Sequence, residues 1–451
     1  MKFTLLILLL TLSSCYNHIN VSQVNPGAGA IEPDNSLSST GLTLGNLHHY
    51  TESIITLSYT GADQATSCSL SNLSHLTETT PCSCTAGVCT VGVTADSFLY
   101  TGAAGFSYTV STPTETSNSA ETSLTIAAAV PFVTTWKTDN LGFGSSAADQ
   151  IELPLESGRN YNFVVDWGDG SSDTISAWND PATLHTYAIA GTYDVSITGI
   201  FDSLYFSFGS DSLKILDVKS WGSYQWASMD SAFEECRNLN VSATDAPNLT
   251  RITSLARMFY NARSLNGDFS NWDTSNITDM SEMFYYAIVF NQNIGSWNTS
   301  KVTSMRSLFD GANAFNQDIS NWDTSNVEDM SCIFCSCYTF NQPIGNWNTS
   351  KVKYMDYMFF ENYAFNQPIG SWDTSSAITM QTMFYDASVF NQDISNWDIA
   401  NVLDVRWMFN KATAFNQDLS SWTWSGIGKP VPANFDYDTD ATAWVLPRPT
   451  F

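Results

Sequence analysis

The chain has 451 residues, too many for one globular core, and an apolar content of 43% that excludes a chain with no folded core. Its formal net charge of −27, from 44 acidic against 17 basic residues, would repel phosphate backbones, so nucleic acid is not expected as a partner. Beyond the N-terminus no apolar run reaches about 18 residues, and no membrane span is predicted.

At the start, Met1-Lys2-Phe3 forms a short basic region, Thr4 to Leu12 is apolar, and Leu12-Ser13-Ser14-Cys15 follows. The arrangement resembles a bacterial lipoprotein signal. That resemblance implies that residues 1–14 are removed, that Cys15 carries the lipid, and that the chain meets the membrane only through it, since two or three acyl chains hold stably where one does not. Tyr16, in place of an Asp after the Cys, implies by the same resemblance an outer-membrane protein facing the exterior. An ordinary cleaved signal is the other reading. Residues 15–46 are rich in Ser, Asn, Gly and Pro and read as a flexible tether.

Residues 47–129 alternate short Ser/Thr/Val runs with turn residues, as in Ile54-Ile55-Thr56-Leu57 and Phe106-Ser107-Tyr108-Thr109-Val110, and a β-sandwich is expected. The stretch is similar to the Ig-like modules of bacterial surface proteins. Cys68, Cys82, Cys84 and Cys89 form an even set in an exported segment, so two disulfides are expected, with three connectivities open. Zinc is the rival reading, against which stand the single-residue spacing of Cys82 and Cys84 and the lack of an adjacent His.

Residues 130–207 contain Val165-Asp166-Trp167-Gly168-Asp169-Gly170, then His185-Thr186-Tyr187, then Gly191-Thr192-Tyr193-Asp194-Val195. Their order and spacing resemble a PKD domain, which implies a second β-sandwich that serves as a spacer. Asp166, Asp169, Asp194 and His185 also invite a metal or acid/base reading, but turn chemistry accounts for the Asp residues.

Downstream, one pattern recurs. Phe259, Phe284, Phe309, Phe334, Phe359, Phe384 and Phe409 are 25 residues apart, and Trp272, Trp297, Trp322, Trp347, Trp372, Trp397 and Trp422 keep the same step. A fixed step of this size predicts a solenoid over residues 208–422, because one unit cannot bury its own apolar face and must stack on the next. Ile277, Met280, Phe284 and Ala287 follow helical spacing, and Asn291 to Thr299 suits a short strand, so each unit is expected to be a strand plus a short helix. Met283-Phe284, Ala287, Phe290-Asn291-Gln292, Ile294, Trp297, Thr299 and Met305, with their copies, resemble the BspA-like leucine-rich-repeat surface proteins in their 25-residue mycoplasma-type variant. The resemblance implies an α/β leucine-rich-repeat-like solenoid, a surface location and an adhesive role, and it supplies no catalytic residue. The fold class expected is therefore multidomain: Ig-like and PKD-like β-sandwiches, then the solenoid, with residues 423–451 as a C-terminal cap.

The repeated Trp column is either a packed ladder or an exposed strip. As a strip, Trp272, Trp297, Trp322, Trp347, Trp372 and Trp397 would form the binding face, with Gln292, Gln317, Gln342, Gln367 and Gln392 beside them. The residue after each Trp runs Asp273, Asn298, Asp323, Asn348, which avoids stacked like charges, with Lys301 and Lys351 as diagonal counter-charges. Asp373 and Asp398 break the alternation, so a cation such as calcium could be held there, but no metal and no cofactor is expected. Cys332, Cys335 and Cys337 crowd one copy, open to a bridge or to plain burial.

None of the five His lies in the repeats, so no nucleophile-His arrangement assembles there and no enzyme is expected. The expectation is a monomeric surface lipoprotein that binds an extracellular protein or glycan. Self-associating envelope scaffold is the alternative, and a glycan-active enzyme using paired carboxylates a remote one.

Overall fold

The computed structural model describes residues 37–47, 53–61, 64–97, 100–206 and 210–423, together with Leu446, Pro447 and Pro449. Cys15, the tether before residue 37 and most of the expected cap lie outside the described residues. The chain divides into two compact units at Val130/Pro131.

Alternating side chains build the first unit: in the strand Ala120–Ile126, every second residue from Ala120 to Ile126 is buried. Strands β1 (Ser38–Ser39), β2 (Leu42–Leu47), β3 (Ser53–Thr56), β4 (Tyr59–Thr60), β5 (Ser67–Ser74), β6 (Leu76–Thr85), β7 (Val88–Ala95), β8 (Gly102–Ser111) and β9 (Ala120–Ile126) follow one another. Sheet β2-β9-β8-β5 and sheet β3-β7-β6 contribute to one apolar cluster that includes Val91, Val93, Phe106, Tyr108 and Leu124. The expected tether therefore ends earlier than residue 46. Leu37 and Leu42 are buried, and β2 pairs in parallel with β9. Cys68–Cys82 links β5 of one sheet to β6 of the other, and Cys84–Cys89 closes facing partners of the β6/β7 hairpin.

The second unit begins with β10 (Phe132–Lys137), β11 (Gln150–Glu152), β12 (Tyr161–Asp166), β13 (Ser172–Ile175), β14 (Leu184–Thr186) and β15 (Thr192–Phe201), and continues into β16 (Ile215–Ser220) and β17 (Asn240–Val241). A single six-stranded sheet runs β13-β12-β15-β10-β16-β17. Strand β16 pairs antiparallel with β10 on one side and parallel with β17 on the other, so the boundary drawn at residue 207 falls inside one unit. Just ahead of β16, the fully buried Lys214 is held by Asp211 at 3.1 Å and by the carbonyls of Ser146, Ala147 and Gln150. A buried ammonium left short of partners would cost several kcal/mol, roughly, and five oxygens, the Ser146 hydroxyl included, offset that.

From residue 254 the chain coils once every 25 residues, with single parallel bridges Ser254 to Asp279, Asp279 to Ser304, and so on to Asp404. Interior columns stack: Phe284 on Phe309 at 5.8 Å, Phe290 on Phe315 at 5.9 Å, Trp297 on Trp322 at 6.5 Å with rings 2° apart. Such offset stacks exclude water and add to the burial energy of each ring.

The expected helix is not there. Among the described residues the coils contain no α-helix, and Asn291–Thr299 forms no strand. In Asp279–Ala287 alternate peptide groups lie along the stacking direction instead: Met280, Glu282, Phe284 and Tyr286 donate their N–H to Ser304, Arg306, Leu308 and Asp310 of the next coil. The N–H groups between them close turns, Met283 onto Met280 and Ala287 onto Phe284. A turn of this kind needs a left-handed residue in third place, and Glu282 (φ 58) and Tyr286 (φ 53) supply it. Helical spacing of Met280, Phe284 and Ala287 thus arises from turns that bury every fourth or third side chain. The α layer of the expected α/β solenoid is replaced by a layer of turns.

Both ends of the stack are closed. Pro247 stands where the Trp column would begin, and Trp221 sets its edge against Trp272 at 5.4 Å. At the other end Leu419 donates to the carbonyl of Pro447, and Leu446 to the side chain of Asn416.

Candidate binding surface

The Trp column is interior. Trp272, Trp297, Trp322, Trp347, Trp372 and Trp397 are 3–5% exposed, so they cannot form the strip that would make them a binding face. Each indole N–H from Trp297 to Trp422 donates to a carbonyl of the preceding coil, as Trp322 does to Ile294 at 3.1 Å. A buried indole N–H needs such an acceptor, and the coil geometry provides one at every step.

Gln292, Gln317, Gln342, Gln367 and Gln392 are half-buried and engaged. Their amides donate to the side-chain oxygen of an Asn one coil back: Gln317 to Asn291 at 3.0 Å, Gln342 to Asn316 at 2.9 Å, Gln367 to Asn341 at 3.0 Å. The same Asn oxygen accepts the backbone N–H of the next Asn, giving a ladder from Asn240 through Asn416. These Gln residues therefore help to hold the stack together.

Asp373 and Asp398 are occupied in turns. Asp373 Oδ1 accepts from Ser375 N and Oγ, which holds its carboxyl below the usual range, and Asp398 Oδ1 accepts from Ala400 N. Asp273, Asn298, Asp323 and Asn348 make the same turn, so the column is chosen for its acceptor rather than its charge. Among the described residues no cluster of three donor side chains includes Asp373 or Asp398. Lys301 and Lys351 each reach the Asn side chain one coil back in their own column, Asn276 and Asn326, and Lys351 also helps, after the Ser325 hydrogen bonds, to hold the Asp323 carboxyl below its ordinary range.

In the β-domain the four groups that invited a metal or acid/base reading lie apart. His185 stacks on Trp167 at 4.7 Å and meets Asp169 at 3.0 Å, while Asp166 accepts from Gly168 N and Asp194 turns to Lys219 at 2.8 Å. Ser171 and then His185 hold the Asp169 carboxyl down to about 2. The four groups do not converge on one point.

The turned segment, Asp279–Val289 and its copies, is one of the solvent-facing parts of each coil, although some of its positions, such as Ser307, Cys335, Thr382 and Asn410, are buried. Two of its columns vary along the array, whereas the Asn, Gln and Trp ladders repeat. One column runs Arg257, Glu282, Ser307, Cys332, Tyr357, Thr382, Trp407; another runs Tyr260, Tyr285, Asp310, Cys335, Phe360, Tyr385, Asn410. Large side chains stand out into solvent along it, with Tyr286, Tyr338, Tyr354 and Tyr363 each 39–41% exposed. They are ordered by stacking: Tyr260 on Tyr285 at 4.4 Å, Phe360 on Tyr385 at 5.0 Å, Tyr338 on Tyr363 at 5.2 Å. Cations join them, with Arg257 over the Tyr260 ring at 4.1 Å and clamped between Glu234 and Glu282, each at 2.6 Å. Pre-stacked aromatics lose little entropy on binding, and their faces suit sugar C–H edges or partner side chains. The sequence carried a signal for this surface in the columns that vary between otherwise near-identical copies.

One coil of the segment carries a third disulfide, Cys332–Cys335, while Cys337 and Cys236 are buried free thiols.

No curated protein matches the chain, and no solved structure matches it. The family model described as Mycoplasma protein of unknown function, DUF285, matches residues 227–344 and 314–422, so the coil array with its Phe and Trp columns is what this chain shares with that family.

Proposed function

We propose that this chain is a non-catalytic bacterial surface lipoprotein, anchored through Cys15, that binds an extracellular protein or glycan with the turned edge of its coil array. In this reading the array is a BspA-like adhesive module, residues 132–201 are a PKD-like spacer and residues 38–126 an Ig-like one, and the protein works as a monomer. The observation that carries it is the division of labour inside each coil. Side chains that hold the stack are repeated, and those that face solvent between Asp279 and Val289 change from coil to coil and include part-exposed, pre-stacked aromatics. A surface with only a packing duty has no need of that variety. The family description adds no activity of its own.

Glycan and extracellular-matrix arrays probed with the full mature chain test the reading. Binding is expected, and Tyr286→Ala combined with Tyr338→Ala and Tyr363→Ala is expected to weaken it roughly a hundredfold with an unchanged melting temperature, since a handful of aromatics dominates such contacts. Binding that survives the triple change, or filaments formed without ligand, would refute it. Lipid-precursor labelling of the parent and of Cys15→Ala checks the anchor: the label is expected in the first and absent from the second.

A further inference from the structure

The disulfide on the display edge is not required by the fold. Cys332 and Cys335 occupy columns where six other coils form the same two turns with Arg, Glu, Ser, Tyr, Thr or Trp and with Tyr, Asp, Phe or Asn. A ring closed over four residues also removes little freedom from the unfolded chain. Something other than coiling accounts for the pair.

Its surroundings suit reaction. Cys332 is partly exposed while Cys335 is 3% exposed, so one sulfur is open to an incoming group and the other is shielded. Asp310, one coil back, places Oδ2 at 3.2 Å from Cys332 Sγ, and the carboxylate and both sulfurs lie within 4.8 Å of one another. The position next to Asp310 is Gly311, at φ 68, and the ring of Tyr286 from the preceding coil takes the space a side chain there would need. The groups that face Asp310 are Glu282 and Tyr285 from the preceding coil and Cys332, Cys335 and the buried Cys337 thiol from the following one. Burial, with Glu282 adding to it, pushes the Asp310 carboxyl up to about 7.

We infer that Cys332–Cys335 is a thiol–disulfide exchange site that takes electrons from an external thiol, with Asp310 as the positioning residue that carries the proton. An external thiolate attacks Cys332 Sγ; the S–S bond breaks, its electron pair goes to Cys335 Sγ, and Asp310 delivers its proton there. A second thiolate then attacks the external sulfur of the mixed disulfide and releases Cys332 as a thiolate, which is protonated from water, as is Asp310. Two thiols are thereby oxidised to one disulfide, and Cys332–Cys335 is reduced to two thiols. A carboxyl poised near neutrality can both give and regain a proton, which a carboxylate at its ordinary value cannot do.

The test uses the full chain in its native fold, treated with reduced glutathione as monothiol or dithiothreitol as dithiol, then acid-quenched, alkylated and mapped cysteine by cysteine by mass spectrometry. Cys332 and Cys335 are expected to become labelled roughly ten times faster than Cys68, Cys82, Cys84 and Cys89. With glutathione, a Cys332 adduct is expected to precede full reduction. The rate should show an inflection near pH 7 that Asp310→Asn abolishes. Cys337→Ala, which restores the residue found at Ala312 and Ala387, should leave the rate unchanged. Equal labelling of all three disulfides, attack at Cys335 first, or a pH profile untouched by Asp310→Asn would overturn the inference. So would a large fall in melting temperature for Cys332→Ser with Cys335→Ser, which would make the pair a staple.

Discussion

The first unit and the coil array solve one problem by opposite means. In residues 37–126 hairpins such as β6/β7 combine with pairings between distant strands, and the ladders are irregular, with register shifts in the β2/β9, β5/β8 and β6/β7 pairs. Strand β6 exposes seven of its ten residues to solvent, so it buries little, and two disulfides hold it. In the array the ladders that join one coil to the next link residues 24 to 28 apart and recur from coil to coil. Irregular pairing needs covalent closure where repetition supplies its own. The largest expected effect breaks the two regions separately. Trp347→Ala removes a ring stacked at 6.4 Å on Trp322 and an indole bond to Ile319, and should cost the array about 3–5 kcal/mol. Reduction should leave the array intact and cost the first unit about 3 kcal/mol for Cys68–Cys82 and about 2 for Cys84–Cys89. Hydrogen exchange read segment by segment checks both: protection is lost around residues 322–372 in the first case and around 67–95 in the second.

The repeats also show why some of this was legible and some was not. A strict step of 25 forces Phe and Trp into columns whatever the local backbone does, so the stacked interior follows from the sequence alone. Backbone conformation is another matter. The spacing of Met280, Phe284 and Ala287 fits a helix, and the left-handed residues that exclude one are Glu282 and Tyr286, which carry no glycine signal; only Gly311 marks the position openly. The proposed display edge was harder to see for a related reason: a repeated Trp draws attention, yet repetition here signals a structural duty, and the variation lies where Tyr285 gives way to Asp310, Cys335 and Phe360. In the β-domain, the order of turn motifs located β12 and β15, but no local pattern could say that β10 would pair with β16 and merge that sheet with the coils.

A second way to sharpen the comparison is through pH, because the array contains one strongly displaced carboxyl. Asp310 is raised from 3.8 to about 7 by burial, with Glu282 second. In the folded state it therefore holds its proton in a range where the unfolded chain has lost it. Its contribution is present in full below about pH 4 and is lost as pH rises through about 7. Asp310→Asn should match the parent at pH 4 and exceed it by about 2–4 kcal/mol at pH 8, measured by urea denaturation with the signal of the array's Trp residues. A difference that grew toward low pH would contradict the burial. The first unit provides the internal standard, since its melting should be the same in both proteins.

The smallest effect separates reach from energy. Asn341 Oδ1 accepts the N–H of Asn366 at 2.9 Å and the amide of Gln367 at 3.0 Å; Asn118 Oδ1 in the first unit accepts from Ser39 N and Ser38 Oγ, each at 2.9 Å. Replacing either by Ala removes one acceptor shared by two donors close to solvent, and each should cost about 1 kcal/mol. The consequences should nevertheless differ. In the array the coils on both sides keep their own Asn and Gln bonds, so Asn341→Ala should raise exchange at Asn366 and its immediate neighbours alone, as expected for a stack held by nearest-neighbour terms. In the first unit Asn118 ties β1 to the segment before β9, so Asn118→Ala should expose the amides of Ser38 to Thr40 together. Asn341→Asp, which keeps the acceptor, should recover most of the loss, whereas a disturbance spreading over several coils would mean that the ladder behaves as one cooperative element.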